Sequence, residues 1–131
     1  EQELTNSMLK LSSLLKEKEH QNKNVIYEIA RYIENHYDQD ITLQDISAHF
    51  YLSREYISRW FKQEFQENIT DYISRKRMEK AKILLANRHM RIAEIAKIVG
   101  YQDEKYFSKV FKKLEGLSPN EYRKKQDKTS L

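Results

Sequence analysis

Residues 56–62 read YISRWFK and residues 106–112 read YFSKVFK, one pattern returning at an offset of 50. Tyr72 returns as Tyr122 at the same offset, whereas Ile46 and Ser47 correspond to Ile95 and Ala96 at an offset of 49. A supersecondary unit is therefore used twice. The residue gained in the second copy falls near Gly100, where a turn between helices needs positive φ. On a helix opening after Ser53, the side chains Ile57, Trp60, Phe61 and Glu64 or Phe65 gather on one side and Glu55, Ser58, Arg59 and Lys62 on the other. The second copy sends Phe107, Val110, Phe111 and Leu114 inward and Lys105, Ser108, Lys109 and Lys112 outward. Any surface helix is amphipathic, so one such helix says little. A merely solvated face, however, has no reason to match Ser58 with Ser108 and Arg59 with Lys109.

Capping chemistry places the remaining elements. Thr42 with Asp45 three residues later forms a capping-box signature, so a helix opens at Leu43 and carries Ile46 and Phe50 inward. Ser53 caps the next helix, and Asp103 takes that role in the second copy. Between the copies, residues 69–86 contain good helix formers and neither Gly nor Pro, which predicts one continuous helix about 26 Å long. Its apolar residues are expected on two sides, Ile69, Tyr72, Ile73, Ile83 and Leu84 on one and Met78, Ala81 and Leu85 on the other. Ser118, Pro119 and Glu121 open a short final helix carrying Tyr122, with the chain beyond Lys125 expected to fray. Val25, Ile26, Ile29, Ile33 and Tyr37 follow helical spacing up to the polar stretch beginning at His36. Before them, Leu4, Met8, Leu11 and Leu15 repeat at coiled-coil spacing until Lys18 breaks the stripe, and EKEHQNKN reads as a linker. This first segment fits a dimerising helix and a plain connector equally well. The expected division is 1–24 as an N-terminal helix or linker, 25–66 as the first helix-turn-helix unit, 67–87 as a linker helix, 88–125 as the second unit and 126–131 as a tail.

Composition agrees with this layout. The 131 residues suit one domain or two very small ones, and an apolar share of 39% against 34% charged residues supports small, subdivided cores. Gly and Pro together number three, Gly100, Gly116 and Pro119, too few for a sheet of tight hairpins. Cysteine is absent, which excludes a disulfide framework, a thiolate nucleophile and a Cys-based zinc site. No apolar run approaches the roughly 18 residues of a membrane span, and no signal-peptide pattern opens the chain. The start at Glu1 rather than at Met is read as a piece of a longer protein. The histidines His20, His36, His49 and His89 are scattered, and there is neither a Gly-rich phosphate loop nor a convergent carboxylate pair. An enzyme is therefore not expected, and neither a metal nor a cofactor is implied.

Charge points to the partner. Residues 1–45 carry 5 basic and 9 acidic side chains, whereas residues 46–131 carry 19 and 11, a net of −4 against +8. Such a field attracts phosphate backbones or anionic membrane surfaces. A helix with one anchored apolar face and one short or basic face can enter a major groove about 12 Å wide, where Arg or Lys donates to guanine. Arg75, Lys76, Arg77, Lys80, Lys82, Arg88 and Arg91 form a basic run between the units that can lie along phosphates, although a helix leaves some of its charges merely solvated. The rival reading is a basic amphipathic module that binds an anionic membrane surface or a partner protein. Neither rival requires the matched Ser-then-basic pattern.

The strings SREYISRWFK, DYISRKRMEKAKILL, IAEIAKIVGYQDEKYFSKVFKK and EGLSPNEYR resemble the DNA-binding domain of the AraC/XylS family of bacterial transcription regulators over about residues 25–124. The second half is the more specific part. The resemblance implies an all-α fold of about seven helices in two homeodomain-like helix-turn-helix subdomains joined by a long helix, in addition to the N-terminal helix. It also implies two recognition helices in successive major grooves of double-stranded DNA. Carried over by position, the base-facing residues are Arg54, Glu55, Ser58 and Arg59 in the first unit and Glu104, Lys105, Ser108 and Lys109 in the second. The phosphate-facing set is Ser53, Lys62, Arg75, Arg77, Arg91 and Lys112. Gln66 departs from the family pattern, standing where Gly is frequent and where the second unit has Gly116, so the end of the first recognition helix is expected to differ. The resemblance further implies a cytoplasmic, nucleoid-associated activator that contacts RNA polymerase. A regulatory or phosphoacceptor receiver domain would precede this segment, with dimerisation through the parent protein.

Overall fold

The computed structural model describes residues 2–129, with side chains from Leu9 to Asp127 except that of Glu19. Among these residues there are seven helices and no strand: α1 Gln2–His36, α2 Leu43–Phe50, α3 Arg54–Phe65, α4 Ile69–Leu85, α5 Ile92–Ile98, α6 Glu104–Glu115 and α7 Pro119–Thr129. Caps set the boundaries as the sequence predicts. At Thr42 the hydroxyl accepts from the Asp45 amide at 3.1 Å and the Asp45 carboxylate accepts from the Thr42 amide at 2.9 Å. Ser53 accepts from the Tyr56 amide and Asp103 from the Lys105 amide, while Ser118 and Glu121 close a reciprocal pair. Asn68 caps α4 by accepting from the Asp71 amide at 2.8 Å, a start signal the sequence reading did not use.

The duplication extends to the turns. The Leu52 amide donates to the Ser47 carbonyl in the first unit, and the Tyr101 amide donates to the Ala96 carbonyl in the second. Ahead of these bonds, Tyr51 (φ 56°) and Gly100 (φ 104°) both take left-handed backbone. Gln66 corrects the expectation drawn from its missing glycine. It adopts φ 59° where Gly116 adopts 82°, and each amide donates to the carbonyl four residues back at 2.8 Å. Both recognition helices thus end in the same way, the first at the cost of a left-handed residue with a Cβ.

Two apolar cores form, one per unit. Ile26, Ile29, Ile33, Ile46, Ile57 and Phe61 centre the first, and Met78, Ala81, Leu85, Ile95, Val99, Phe107 and Phe111 the second. The linker helix divides between them along its length: Ile69, Tyr72 and Ile73 enter the first core, and Met78, Ala81 and Leu85 the second. Two placements are corrected. Leu84, expected on one side of the helix with Ile69, Tyr72 and Ile73, packs on the second core while those three enter the first, and Ile83 is 71% exposed. Leu114, also expected inside, is 48% exposed near the end of α6.

Residues 17–24 form no break. They lie within α1, because Glu, Lys and Gln are good helix formers and the stretch has neither Gly nor Pro. The N-terminal helix and the first helix of the unit are consequently one element. From Asn22 onward α1 is anchored on α3: Tyr56 OH donates to buried Asn22 Oδ1, and Tyr27 OH donates to Glu64 at 2.8 Å. Leu11 and Leu15 are 59% and 55% exposed, and the side chains of Leu4 and Met8 lie outside the described residues. At the other end, helix α7 continues to Thr129 where a frayed tail was expected, with Asp127 paired to Arg88 at 3.0 Å. Residues 130 and 131 lie outside the described residues.

Candidate nucleic-acid interface

Helices α3 and α6 each fix one side into a core and leave the other in solvent. Ile57 and Phe61, like Phe107 and Phe111, are fully buried, which prevents either helix from rotating about its axis. Trp60 occupies the margin of that buried side. It is half-buried against α1 beside Asn22, Lys23 and Ile26, and the Arg59 guanidinium lies 5.7 Å from its ring centroid.

The outward faces agree position by position. Arg54, Glu55, Arg59 and Lys62 are exposed with Ser58 half-buried, and Glu104, Lys105, Lys109 and Lys112 are exposed with Ser108 half-buried. None of the cations among them forms an ion pair with a described residue. Their charge is therefore available to a partner. Each face also begins at a capped helix N-terminus, where backbone amides favour anions.

The basic run between the units differs. Arg75 is bound to Glu67 at 3.2 Å and to Glu79 at 2.8 Å, and the hydrogen bond to Glu67 raises its already high pKa. Lys76 meets Glu34 at 2.7 Å, while Tyr72 OH donates to the same carboxylate at 3.0 Å. Those contacts, the bond from Lys76 first, hold the Glu34 carboxyl below its ordinary range. Arg77 donates from Nε to the Tyr37 carbonyl at 2.7 Å and from Nη2 to the Gln39 carbonyl at 2.9 Å. Lys82 pairs with Glu115 at 3.3 Å. Arg91 stands at the start of α5 with only a loose contact to Glu94 at 3.9 Å. Arg75 and Arg77, both expected at phosphates, thus have their guanidinium groups engaged inside the chain.

Sequence reasoning missed Arg123 altogether. Its Nε donates to the Leu85 carbonyl at 3.0 Å and its Nη2 to those of Asn87 and Met90 at 3.1 and 2.9 Å, which fixes the loop entering α5. The signal lay in the NEYR string, whose Arg follows the repeated Tyr122. Among the described residues no group of three or more potential ligands could hold a metal ion, and no helix is long and apolar enough to cross a membrane.

Two tandem helix-turn-helix units, each presenting an exposed basic recognition face whose cations form no ion pair among the described residues, define a DNA-binding module of a transcription regulator. The helix-turn-helix domain family matches residues 46–125. An uncharacterized HTH-type transcriptional regulator, YisR of Bacillus subtilis, is 40% identical over 102 residues, which cover 78% of this chain and 36% of that protein. The arabinose operon regulatory protein of Escherichia coli is 35% identical over 101 residues, 76% of this chain and 35% of the relative. Among solved structures, the C-terminal domain of AraT, a response regulator from Geobacillus stearothermophilus, superimposes with a TM-score of 0.75 at 39% identity, covering 77% of this chain and 84% of that one. The C-terminal domain of the two-component response regulator yesN from Fusobacterium nucleatum gives 0.73 at 40% identity, covering 76% and 98%. The chain belongs to the AraC/XylS-type helix-turn-helix family of bacterial transcription regulators. It spans about a third of the length of the curated relatives it matches.

Proposed function

We propose that the chain reads a two-part operator, placing α3 and α6 in successive major grooves of double-stranded DNA. Arg54, Glu55, Ser58 and Arg59 read base edges in one half-site, and Glu104, Lys105, Ser108 and Lys109 in the other. Ser53, Lys62, Arg91 and Lys112 hold the backbone. In a negative groove each acidic member accepts from a cytosine amino group, pairs with a neighbouring cation or points away. The observation that carries this reading is the contrast in charge use: the recognition faces keep their cations unpaired, whereas those along α4 are mostly committed within the chain.

The module acts in the cytoplasm at the nucleoid, as an activator that contacts RNA polymerase, and the reading involves no catalytic step. Both solved relatives described above are C-terminal domains of response regulators, which supports a phosphoacceptor receiver domain as the signal-receiving part. A ligand-binding regulatory domain is the counterpart in sugar-responsive members, and dimerisation belongs to that part in either case. The test is binding to DNA selected from a random pool. Arg59→Ala or Lys109→Ala weakens the selected site by about 1–3 kcal/mol and random DNA by less, because base readout is lost while phosphate contacts remain. Equal losses on both DNAs would move these residues to the backbone. Preferential binding to anionic vesicles over DNA would favour the membrane reading instead.

A further inference from the structure

Among the described residues the two cores share no buried side chain; beyond α4, the units meet where Gly100 approaches the Asp38 backbone and at one arginine. Arg77 leaves the middle of α4 and reaches both units. Its two hydrogen bonds hold the carbonyls of Tyr37 and Gln39 in the loop that enters the first unit's α2. The same guanidinium meets the second unit, with Cζ 5.0 Å from the ring centroid of Tyr101, itself buried against Phe107. Gly100 is the point of closest approach. A Cβ there would lie 3.1 Å from Arg77 Nε and 3.2 Å from the carbonyl carbon of Asp38. Around this contact the seam is otherwise open, a cleft of about 510 Å³ bordered by Ile41, Thr70, Ser74 and Gln102.

A helix alone resists bending but leaves each unit some freedom to rock on its own packing surface. A cation fixed by two carbonyls on one unit and held over an aromatic ring of the other restrains that freedom. We propose that Arg77, a positioning residue that touches no base, fixes the relative orientation of the two recognition helices and thereby the half-site spacing the module accepts. This rests on the two-groove reading above and adds to it the source of spacing specificity. One base pair inserted between half-sites rotates the second by about a tenth of a helical turn, so a rigid pair rejects it and a loose pair follows it.

The orientation is measurable without DNA. The chain has no cysteine, so Gln63→Cys and Lys113→Cys place nitroxide labels at equivalent exposed positions of α3 and α6, outside the proposed DNA face. Pulsed EPR should give a narrow distance distribution in this background. Arg77→Leu and, independently, Tyr101→Leu should at least double its width with helical content unchanged, whereas Lys80→Leu on the same helix should leave it as it was. An unchanged width in both Arg77→Leu and Tyr101→Leu overturns the proposal. In the second arm, DNA selected by the unsubstituted chain is lengthened or shortened by one base pair between half-sites. The unsubstituted chain should lose more than tenfold in affinity and Arg77→Leu less than threefold. Equal losses in both would sever Arg77 from spacing specificity. Selection of a single half-site would contradict the two-groove reading and leave the EPR comparison to decide the role of Arg77.

Discussion

Gly116 and Gln66 perform one backbone task with and without a side chain, which makes the cost of the left-handed cap measurable. Nothing lies within 4 Å of a Cβ added at Gly116, so Gly116→Ala reports the backbone term alone, about 1–2 kcal/mol of lost stability in urea unfolding. Gln66→Gly should gain stability by up to about 1 kcal/mol for the same reason, and Gly100→Ala should cost more than Gly116→Ala because Arg77 and Asp38 stand in the way. Tyr72 gives a pH test. Burial, then the hydrogen bond to Glu34, pushes its phenol from 10.0 up to about 12. A pKa raised by folding contributes stability that is complete below the unfolded value and fades as pH climbs through the window from 10.0 to about 12. Tyr72→Phe should flatten that alkaline decline in urea midpoints and, by removing one hydrogen bond to Glu34, also weaken the smaller decline on the acid side, where the Lys76 bond remains. The residues that make caps were legible in the sequence because capping depends on neighbours three positions away. Arg77 was not legible: in the string RKR three adjacent cations look alike, and only the tertiary fold assigns one to carboxylates, one to Glu34 and one to the seam between units.

The recognition helices were the most legible elements, since their duplication fixes which residues face inward before any packing is known. Their supports were read less well, and for separate reasons. Helix α4 was given two sides around its circumference, but the cores it serves lie at its two ends, which sends Leu84 to the second core and leaves Ile83 in solvent. Helix α1 was divided because the polar run lacks an apolar stripe, yet polarity without Gly or Pro does not interrupt a helix whose later turns are already anchored. Leu9 to Lys18 are exposed, so removing residues 1–20 should change stability by less than about 0.5 kcal/mol in thermal or urea unfolding. A larger loss would mean that the N-terminal turns support the first unit. Within α3, Phe61→Ala should cost about 3–5 kcal/mol through a core cavity, and Trp60→Ala less, since the indole is only half-buried.

The molecule as a whole is two readers on a stiff mount, with charge spent internally along the mount and left available on the readers. Lys62, Arg91 and Lys112 are the cations assigned to phosphates, so binding to random DNA should weaken with salt at a logarithmic slope of about −3, and Lys112→Ala should reduce that slope by about 1. Arg75→Ala should leave it unchanged because that guanidinium is held by Glu67 and Glu79. The tandem architecture and the chemistry of its faces were legible from sequence, while the internal use of the α4 cations was not, because ion pairing across helices has no local signature. A hydroxyl-radical footprint on DNA selected from a random pool tests the two-reader claim most directly. Two protected stretches centred about one helical turn apart on the same face of the duplex are predicted, each weakened separately by Arg59→Ala or Lys109→Ala. One protected stretch, indifferent to Lys109→Ala, would contradict it.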